Sequence, residues 1–238
     1  MPKEISIIVP ALNEEKRIEA CLESLEKQTV DRSRYEIILS DALSVDNTMK
    51  IAEKYTDKIV SAESLGAGYG RNYGARHATA EKVAFIDADS IAGKTFVEGA
   101  IEVLRNHVAA TGPIESIEKD STIAELFYKW WSFQDWASIK LGVPIFAGFN
   151  IAARKKEFFD AGGFGEQNYT CEDIDVAFKL KKMGKIGFSN KMVVATSNRR
   201  VKHPAYIIGY VLNAWNFFLF RKSRTWEQHR GRLQQKKK

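Results

Sequence analysis

The sequence predicts one α/β fold in which a mostly parallel central β-sheet is flanked by helices. Short apolar runs rich in β-branched residues alternate with segments of helical periodicity, a rhythm typical of successive β-α-β units. Three of these runs, at 5–10, 35–40 and 82–86, are predominantly apolar, as expected of buried parallel strands. A chain of 238 residues with 45% hydrophobic side chains is long enough to build one such core.

Each strand in the first half is followed by a predicted helix or turn. After the first strand, apolar residues recur with the helical period, and Asn13 is the expected N-cap. The remaining elements are, in order, a strand at 35–40, a helix at 49–55, a strand at 58–60, a glycine-rich segment at 66–74 that leads toward a helix, a strand at 82–86 and a helix around 96–104.

The second half departs from this regular alternation. It contains an aromatic-rich helix at 122–140, a strand at 145–153 and a helix at 171–183 that follows a glycine loop. Two interpretations of the aromatic helix stay open. It packs onto the sheet, or it forms an acceptor-side wall or an interfacial helix with aromatic anchors at a membrane surface.

The C-terminal region combines an uncharged aromatic segment with a basic tail. The 17 residues of 204–220 carry no charge, so we expect a helix that lies in a membrane surface or docks on the domain. Residues 221–238 hold eight basic side chains and one acidic one, whereas the other 220 residues hold 28 basic and 29 acidic ones. Charge confined to a tail suits anionic lipid headgroups and argues against nucleic acid as a partner. A core-packed helix with a solvated tail is the alternative.

These observations predict two units and a cellular compartment. We expect a folded domain at 1–202, followed at 203–238 by an amphipathic, aromatic helix and the basic tail. Two cysteines exclude a disulfide framework and a four-cysteine zinc site. The N-terminal residues lack the apolar region of a signal peptide, which predicts a cytoplasmic protein, peripheral on the membrane if the C-terminal region binds lipid.

Polar side chains follow three of the predicted strands. They are Asn13 with Glu14, then Asp41, then Asp87 with Asp89. Ligands of doubly wound sheets bind at the carboxyl ends of the strands, so these side chains are candidates for one site. Helix capping by Asn13 and a turn role for Asp41 are the alternatives.

The Asp87-Ala88-Asp89 sequence is the stronger candidate for a metal site. Carboxylates two residues apart on extended backbone point to the same side and repel each other unless a cation or hydrogen-bond donors lie between them. Mg²⁺ and Mn²⁺ are commonly bound by such carboxylates together with substrate phosphates. An exposed acidic turn is the alternative. The first strand is followed by neither a dinucleotide-binding glycine pattern nor a P-loop.

Glu172 and Asp173 open the last predicted helix of the domain. They suit the positive end of the helix dipole, and Thr170 with Asp173 has the spacing of a capping box. The functional alternative is that one carboxylate projects into the cleft as a general base.

Together these motifs resemble those of the inverting, nucleotide-sugar-dependent glycosyltransferases of family 2. The matching segments are 7–14, Asp41 with 44–48, 70–75, 87–89, and 162–164 with Glu172-Asp173. They occur in the family's order and cover roughly residues 4–185. The resemblance implies a GT-A fold, which is a Rossmann-like α/β fold, and places the chain near polyprenyl-phosphate sugar transferases and related enzymes.

The resemblance also implies roles for individual residues. The residues implied at the nucleotide are Pro10, Ala11, Asn13, Glu14, Asp41, Arg71, Asp87 and Ala88. Asp89 and Asp87 are implied to hold Mn²⁺ or Mg²⁺, with His203 as a further candidate ligand. Asp173 is implied to be the base that deprotonates the acceptor, and Glu172 to orient acceptor or base.

The sequence departs from the family pattern in two places. Ala42 stands where a second acid usually follows Asp41, which puts one nucleotide contact in doubt. No Gln-x-x-Arg-Trp motif follows Asp173, which argues against a processive polymer synthase.

The expected activity is transfer of a sugar, with inversion, from a UDP- or GDP-linked donor to an acceptor hydroxyl or lipid phosphate. An anionic membrane surface is an expected partner if the acceptor is lipid-linked. Two alternatives stay open: a nucleotide-sugar-binding or membrane scaffold protein without catalysis, and a sugar-phosphate nucleotidyltransferase. The latter class usually carries a glycine- and arginine-rich loop after the first strand, and this chain has Ala11-Leu12-Asn13-Glu14 there.

Overall fold

The computed structural model describes residues 2–63, 66–165 and 171–199, together with Val201 and Gly209. Its elements in chain order are β1 (Ile5–Ala11), α1 (Ile18–Glu26), β2 (Tyr35–Asp41), α2 (Thr48–Ala52), β3 (Lys58–Ser61), α3 (Ala67–Arg76), β4 (Lys82–Phe85), β5 (Ser90–Ala92), α4 (Phe96–Val103), β6 (Ala109–Thr111), β7 (Ile114–Ser116), α5 (Thr122–Lys140), β8 (Ile151–Arg154), α6 (Lys155–Asp160), α7 (Glu172–Met183), β9 (Ile186–Phe188) and β10 (Val194–Thr196).

The central sheet has seven strands in the order β3-β2-β1-β4-β8-β6-β9. Strands β1 to β4 are mutually parallel, and β6 is parallel to β9. Strand β8 runs antiparallel to both of its neighbours, β4 and β6. A smaller sheet with the order β5-β10-β7 packs beside it. The predicted α/β fold with a mostly parallel sheet is confirmed, and β1 and β4 lie side by side where the strand order reverses.

The core lies on both faces of this sheet because successive residues of β1 point in opposite directions. Ile7 and Val9 pack with Leu22 of α1 on one face. Ile8 packs with Phe85 and with Val176 of α7 on the other face. Each fully buried aliphatic side chain of this kind stabilises the fold by about 1.5–3 kcal/mol. The two-sided burial explains why β1 is an apolar run.

Helix α3 contains several glycines and packs closely against the central sheet. The glycine-rich segment was expected to precede a helix; instead Gly66 is the N-cap of α3, and the other three glycines of the segment lie inside the helix. A Cβ atom at Gly74 would lie 2.5 Å from Cγ2 of Ile8 and 3.2 Å from Cβ of Ser40. The small residues therefore permit a close helix-sheet contact, which compensates for the low helix propensity of glycine.

Two further expectations are corrected by the structure. Helix α1 begins at Ile18 with Arg17 as its N-cap, so Asn13 does not cap it. The strand expected at 145–153 is reduced to Ile151–Arg154. The preceding residues leave the sheet, and the side-chain amide of Asn150 instead donates to the carbonyl groups of Gly112 and Met192 at 3.1 and 3.0 Å.

Several predictions concern residues outside the described ranges. His203, the uncharged segment 204–220 apart from Gly209, and the basic tail are among them. The proposed division at 202/203 therefore stays a prediction. Among the helices that the structure does describe, none is long and apolar enough to cross a bilayer.

Candidate functional site

The carboxyl ends of β1, β2 and β4 meet at one edge of the central sheet. In the β1–β2 register Pro10 lies opposite Ser40, and Ala11 lies opposite Asp41. Strand β4 pairs with the other side of β1 and leads into Asp87. The parallel topology thus brings the three predicted strand-end clusters into one cleft, as the sequence pattern predicted.

Asn13 joins the loops that follow β1 and β2. Its backbone N–H donates to Oγ of Ser44 at 2.9 Å, and its side-chain Oδ1 accepts from the N–H of Val45 at 2.9 Å. Asn13 has a positive φ of 56°, which asparagine tolerates better than most residues. The N–H of Glu14 donates to Oγ1 of Thr48 at 2.8 Å. The polar groups after β1 therefore shape the cleft wall rather than the start of α1.

Asp41 is fully buried at the end of β2. One carboxylate oxygen, Oδ2, accepts from the N–H of Ser44 at 2.8 Å. The other oxygen, Oδ1, has no hydrogen-bond partner in the described part of the chain. Asp41 therefore holds the turn, as one alternative proposed, and also has a buried oxygen with the capacity to accept a hydrogen bond from a ligand.

Arg71 connects β4 to α7 through the interior. Its side chain is only 4% exposed, and it donates to Oδ1 of Asp87 at 2.7 Å and to Oε1 of Glu172 at 3.5 Å. Its guanidinium group lies over the ring of Phe164, 5.2 Å from the centroid. Burial alone would lower the pKa of Arg71, but the carboxylates of Asp87 and Glu172 raise it.

Asp89 pairs with a different arginine. Nη2 of Arg199 lies 2.9 Å from Oδ2 of Asp89 and 3.5 Å from Oε1 of Glu14. The repulsion expected between Asp87 and Asp89 is thus offset by two separate guanidinium groups. Sequence reasoning missed Arg199, which lies three residues after the end of β10. Its sequence signal is a pair of arginines before the candidate ligand His203.

The two aspartates are suited to a hard divalent cation. Their side chains are 32% and 18% exposed at Asp87 and Asp89, and they offer only oxygen atoms, the ligand type that Mg²⁺ and Mn²⁺ prefer. No cluster of three or more His, Cys, Asp or Glu with metal-binding geometry occurs within the described ranges. A cation held by Asp87 and Asp89 would therefore need oxygen ligands from a bound diphosphate as well.

Glu172 and Asp173 are neighbouring acids in the first turn of α7. Burial, followed by the charge of Asp173, raises the pKa of Glu172 to about 7, against the opposing effect of Arg71. Burial also raises the pKa of Asp173. Oδ2 of Asp173 accepts from the N–H of Gly148 at 3.4 Å, and Oδ1 accepts from the N–H of Ile174 at 2.9 Å. The N-cap of α7 is Cys171, whose side chain does not cap the helix, and Thr170 lies outside the described residues.

Asp135 of α5 is a second residue that the sequence analysis did not single out. It is fully buried, and burial followed by the charge of Asp173 raises its pKa well above the ordinary aspartate value. The spacing could have revealed it, because Asp135 continues the buried face formed by Tyr128, Trp131 and Ser138.

The structure brings together most of the residues implied by the motifs. Arg71 contacts Asp87 and Glu172, while Glu14 and Asp89 share Arg199. The side chains of Ala11 and Ala88 are buried in the hydrophobic core, so these two residues have only backbone groups to offer a ligand. His203 stays a predicted ligand.

The aromatic side chains of α5 form a buried set and an exposed set. Phe127, Tyr128 and Trp131 are buried, as expected of a helix packed on the domain. Trp130, Phe133 and Trp136 are 47%, 62% and 43% exposed. The helix therefore packs on the domain and also presents aromatic side chains to the outside.

Comparisons with known proteins agree with this architecture. Over 110 residues, 44% of this chain, it is 34% identical to the poly(ribitol-phosphate) β-N-acetylglucosaminyltransferase TarS of Staphylococcus aureus and spans about a fifth (19%) of that protein. It is 27% identical over 106 residues, 42% of this chain and 35% of the relative, to the glycosyltransferase AglE of Haloferax volcanii.

The fold is shared with solved glycosyltransferases of the GT-A type. The mannosyltransferase PcManGT of Pyrobaculum calidifontis, solved with GDP-Man and Mn²⁺, superposes with a TM-score of 0.69 at 22% identity over 94% of this chain and 68% of that one. TarS residues 1–349 with UDP-GlcNAc superpose with a TM-score of 0.65 at 23% identity over 82% of this chain and 59% of that one. The model of the family "Glycosyl transferase family 2" matches residues 6–159. The chain belongs to glycosyltransferase family 2.

Proposed function

We propose that this chain is an inverting glycosyltransferase that moves a sugar from a nucleoside diphosphate sugar to an acceptor. The observation that carries the proposal is the buried side chain of Arg71, which contacts Asp87 at the end of β4 and Glu172 at the start of α7. Asp87, proposed to act at the diphosphate, and Glu172, proposed to act at the acceptor, are therefore both in contact with Arg71. Both ends of the proposed displacement reaction would then lie in this cleft.

The donor nucleotide would bind against the loops after β1 and β2. The free oxygen of Asp41 is a buried acceptor for a ribose hydroxyl or a base N–H group. Pro10, Asn13 and Glu14 would line the same wall. Two observations support a UDP- or GDP-linked donor. The chain belongs to glycosyltransferase family 2, and TarS and PcManGT were solved in complex with UDP-GlcNAc and GDP-Man, respectively.

Asp87 and Asp89 would hold a divalent cation together with the diphosphate of the donor, and His203 is a further candidate ligand. This assignment is supported by the structure of PcManGT, which was solved in complex with GDP-Man and Mn²⁺. When bound, such a cation neutralises the charge that develops on the departing diphosphate. Arg71, fixed by Asp87 and Glu172, adds a permanent positive charge at the same end of the cleft.

Asp173 would act as the general base. The acceptor O–H bond breaks, its proton passes to the Asp173 carboxylate, and the oxygen forms a new bond to the anomeric carbon. The bond from that carbon to the diphosphate breaks on the opposite face, so the configuration inverts. A base in this role typically contributes about 10²–10⁴-fold in rate. Glu172, held by Arg71, would orient the acceptor or the base.

The two alternative functions receive less support. The loop after β1 is joined to Ser44 and Val45 by Asn13 and does not resemble the glycine- and arginine-rich loop of a nucleotidyltransferase. A binding protein without catalysis would not need Asp173. Its replacement by asparagine preserves the size of the side chain and one acceptor oxygen for the N–H of Ile174. This change separates the two functions: an unchanged rate would favour a scaffold.

We extend the proposal to a lipid-linked acceptor at an anionic membrane surface. Its support is the exposed aromatic face of α5 together with the uncharged segment 204–220 and the basic tail. The test is sedimentation with vesicles of anionic or neutral phospholipid. Replacement of Trp130, Phe133 and Trp136 by serine should weaken binding to anionic vesicles, whereas Met183→Ser, exposed on α7, should not. Equal binding of both variants would refute the contribution of α5.

The decisive experiment for the donor is calorimetric titration of UDP, GDP, UDP-GlcNAc and GDP-mannose with and without Mn²⁺. We expect one nucleotide class to bind in a Mn²⁺-dependent manner, and Asp89→Ala to abolish that dependence. Asp160→Ala, on the surface helix α6, is the matched control. Absence of binding for every nucleotide in both conditions would refute the proposed function.

A further inference from the structure

Gly148 lies in the segment that connects α5 to β8, and its neighbours anchor this segment in the protein. Phe146 and Ala147 are both buried, and they pack into two different core clusters. On the other side, the N–H of Asn150 donates to the carbonyl of Ala147 at 3.0 Å, and the Asn150 side chain is fully buried. The backbone on both sides of Gly148 is therefore held in place, which limits its movement away from any group that crowds it.

The guanidinium group of Arg71 lies against Gly148. A Cβ atom at this position would lie 3.2 Å from Cζ and Nη1 of Arg71 and 3.3 Å from Nη2. These distances are shorter than an optimal non-bonded contact of about 3.5–4.0 Å, and their near equality places such a Cβ over the face of the guanidinium plane. The φ of Gly148 is not positive, so its backbone conformation would accept alanine. The space that Arg71 occupies, rather than the backbone conformation, therefore favours glycine here.

Arg71 has little freedom to retreat from this contact. It pairs with Asp87 at 2.7 Å and with Glu172 at 3.5 Å, and it lies over the ring of Phe164. The backbone of Phe164 is held in turn by Asn72, whose Nδ2 donates to the Phe164 carbonyl at 2.9 Å and whose Oδ1 accepts from the Phe164 N–H at 3.0 Å. A methyl group added to the glycine would therefore shift the guanidinium relative to its two carboxylate partners.

The same glycine also contacts the proposed base. Its N–H donates to Oδ2 of Asp173 at 3.4 Å, while Oδ1 of Asp173 accepts from the N–H of Ile174 at 2.9 Å. Each oxygen of this carboxylate thus has a backbone donor. Burial raises the pKa of Asp173, and the two donors act in the opposite direction, which favours the ionised form that a base requires. The backbone of Gly148 therefore touches both Arg71 and Asp173.

We propose that Gly148 is a positioning residue that keeps the Arg71 guanidinium and the Asp173 carboxylate in a fixed relative position. Because Gly148 has no side chain, Arg71 lies against the same backbone whose N–H holds Asp173. This inference rests on the proposed function, in which Arg71 lies near the diphosphate and Asp173 receives the proton of the acceptor. Gly148 acts through these two side chains and not on the substrate itself.

The first test adds one methyl group and measures the release of UDP or GDP from UDP-GlcNAc or GDP-mannose, with water as the acceptor. Gly148→Ala should displace the guanidinium of Arg71 and lower kcat by about tenfold. The matched control is Gly93→Ala, directly after β5, where a Cβ would be equally crowded at 3.1 Å from the carbonyl oxygen of Val193. This control should lose stability and keep its kcat. An equal loss of kcat in both variants would overturn the proposal, because general destabilisation would then account for it.

The second test asks whether the methyl group acts through Arg71. Arg71→Lys keeps the positive charge but removes the planar group that the added methyl would crowd. In the Arg71→Lys background, Gly148→Ala should therefore change kcat by less than about twofold, which makes the two substitutions strongly non-additive. A merely structural role of Gly148 would lower kcat by the same factor in both backgrounds, and that result would refute the positioning role.

The third measurement does not depend on catalysis. Urea unfolding of the wild type, the two single variants and the double variant should show that Gly148→Ala lowers the midpoint by about 0.5 M in the wild-type background and does not shift it in the Arg71→Lys background. Equal shifts would overturn the proposed effect of Gly148 on Arg71. If the wild type releases no nucleotide from any donor, the proposed function fails, and the urea experiment by itself upholds or overturns the steric part of the inference.

Discussion

Arg71 and Asp87 form an ion pair of 2.7 Å in which the arginine side chain is almost completely buried and the aspartate is partly exposed. The same guanidinium group reaches Glu172, 101 residues further along the chain. One side of this contact faces the end of β4, where we propose diphosphate binding, and the other faces the start of α7. A single buried side chain therefore links the proposed donor and acceptor groups.

Replacing Arg71 by methionine should destabilise the fold and abolish transfer. The change leaves Asp87 and Glu172 without their cation in a poorly solvated site, at a cost of about 3 kcal/mol, at the low end for a broken buried pair because both acids retain some solvent contact. Denaturant unfolding measures the loss. Arg34→Met, which breaks the exposed pair with Glu4, is the control and should cost far less, because solvent screens an exposed pair. Equal losses would contradict this prediction.

Replacing Arg199 by alanine should strengthen Mn²⁺ binding in the absence of nucleotide. In the structure the Arg199 guanidinium neutralises Asp89 and approaches Glu14, so it competes with any cation at this carboxylate. We expect Mn²⁺ to bind about threefold to tenfold more tightly, a gain of roughly 1 kcal/mol for one partly exposed charge. Titration calorimetry with Mn²⁺ measures the change. Arg34→Ala should have no effect, and weaker Mn²⁺ binding to the Arg199 variant would show that Arg199 supports the site instead.

Replacing Asp41 by asparagine should weaken nucleotide binding while preserving the fold. The asparagine Oδ1 can still accept from the N–H of Ser44, which keeps the turn after β2. The free carboxylate oxygen is lost, and a hydrogen bond to a charged group contributes about 1.5–3 kcal/mol, so we expect about tenfold or greater weakening. Calorimetry with the nucleotide that binds the wild type checks this. Unchanged affinity would assign Asp41 to the turn alone.

Glu172 should make stability depend on pH. Its pKa is raised to about 7 in the folded chain, so the stabilisation present below the unfolded value of about 4.3 is lost as the pH rises from there to about 7. The free energy of unfolding should fall across this window by an amount on the order of 1–3 kcal/mol. Glu172→Gln should flatten the curve. Urea titrations at several pH values measure both slopes, and identical slopes would contradict the assignment.

Gly74→Ala should destabilise the protein although alanine favours helices. Its Cβ would lie 2.5 Å from Cγ2 of Ile8, so α3 must move away from β1 at a cost of about 1–3 kcal/mol. Gly70→Ala, on the same helix, would place Cβ 3.5 Å from Cβ of Pro10, an ordinary contact. This control should be neutral or stabilising by up to about 1 kcal/mol. Thermal unfolding of the two variants compares them directly.

The sequence was sufficient to locate the strands that carry the candidate site. The apolar runs at β1, β2 and β4 and the polar residues directly after them follow from local periodicity, and the structure places all three at one edge of the sheet. Helix α5 begins and ends where its pattern predicted, at Thr122 and Lys140. Such features are readable because burial on one face or on both faces imposes a period on neighbouring residues.

Asn13 and Gly74 show where local pattern reasoning failed. Asparagine before a helix is a common N-cap, but here a tertiary contact with Val45 takes its side chain. A glycine-rich segment usually indicates a loop, but here it lies within α3 because the sheet leaves no space for larger side chains. In each case a partner distant in sequence outweighed the local propensity.

The sequence by itself determined the fold class, the order of its main elements and the chemical character of the strand-end residues. Only the tertiary structure decided which charges meet: Arg71 with Asp87 and Glu172, and Arg199 with Asp89. The physical reason is that periodicity and capping depend on neighbours within a few residues. Pairings across 100 residues arise from the packing of the whole chain, which leaves no periodic trace in the sequence.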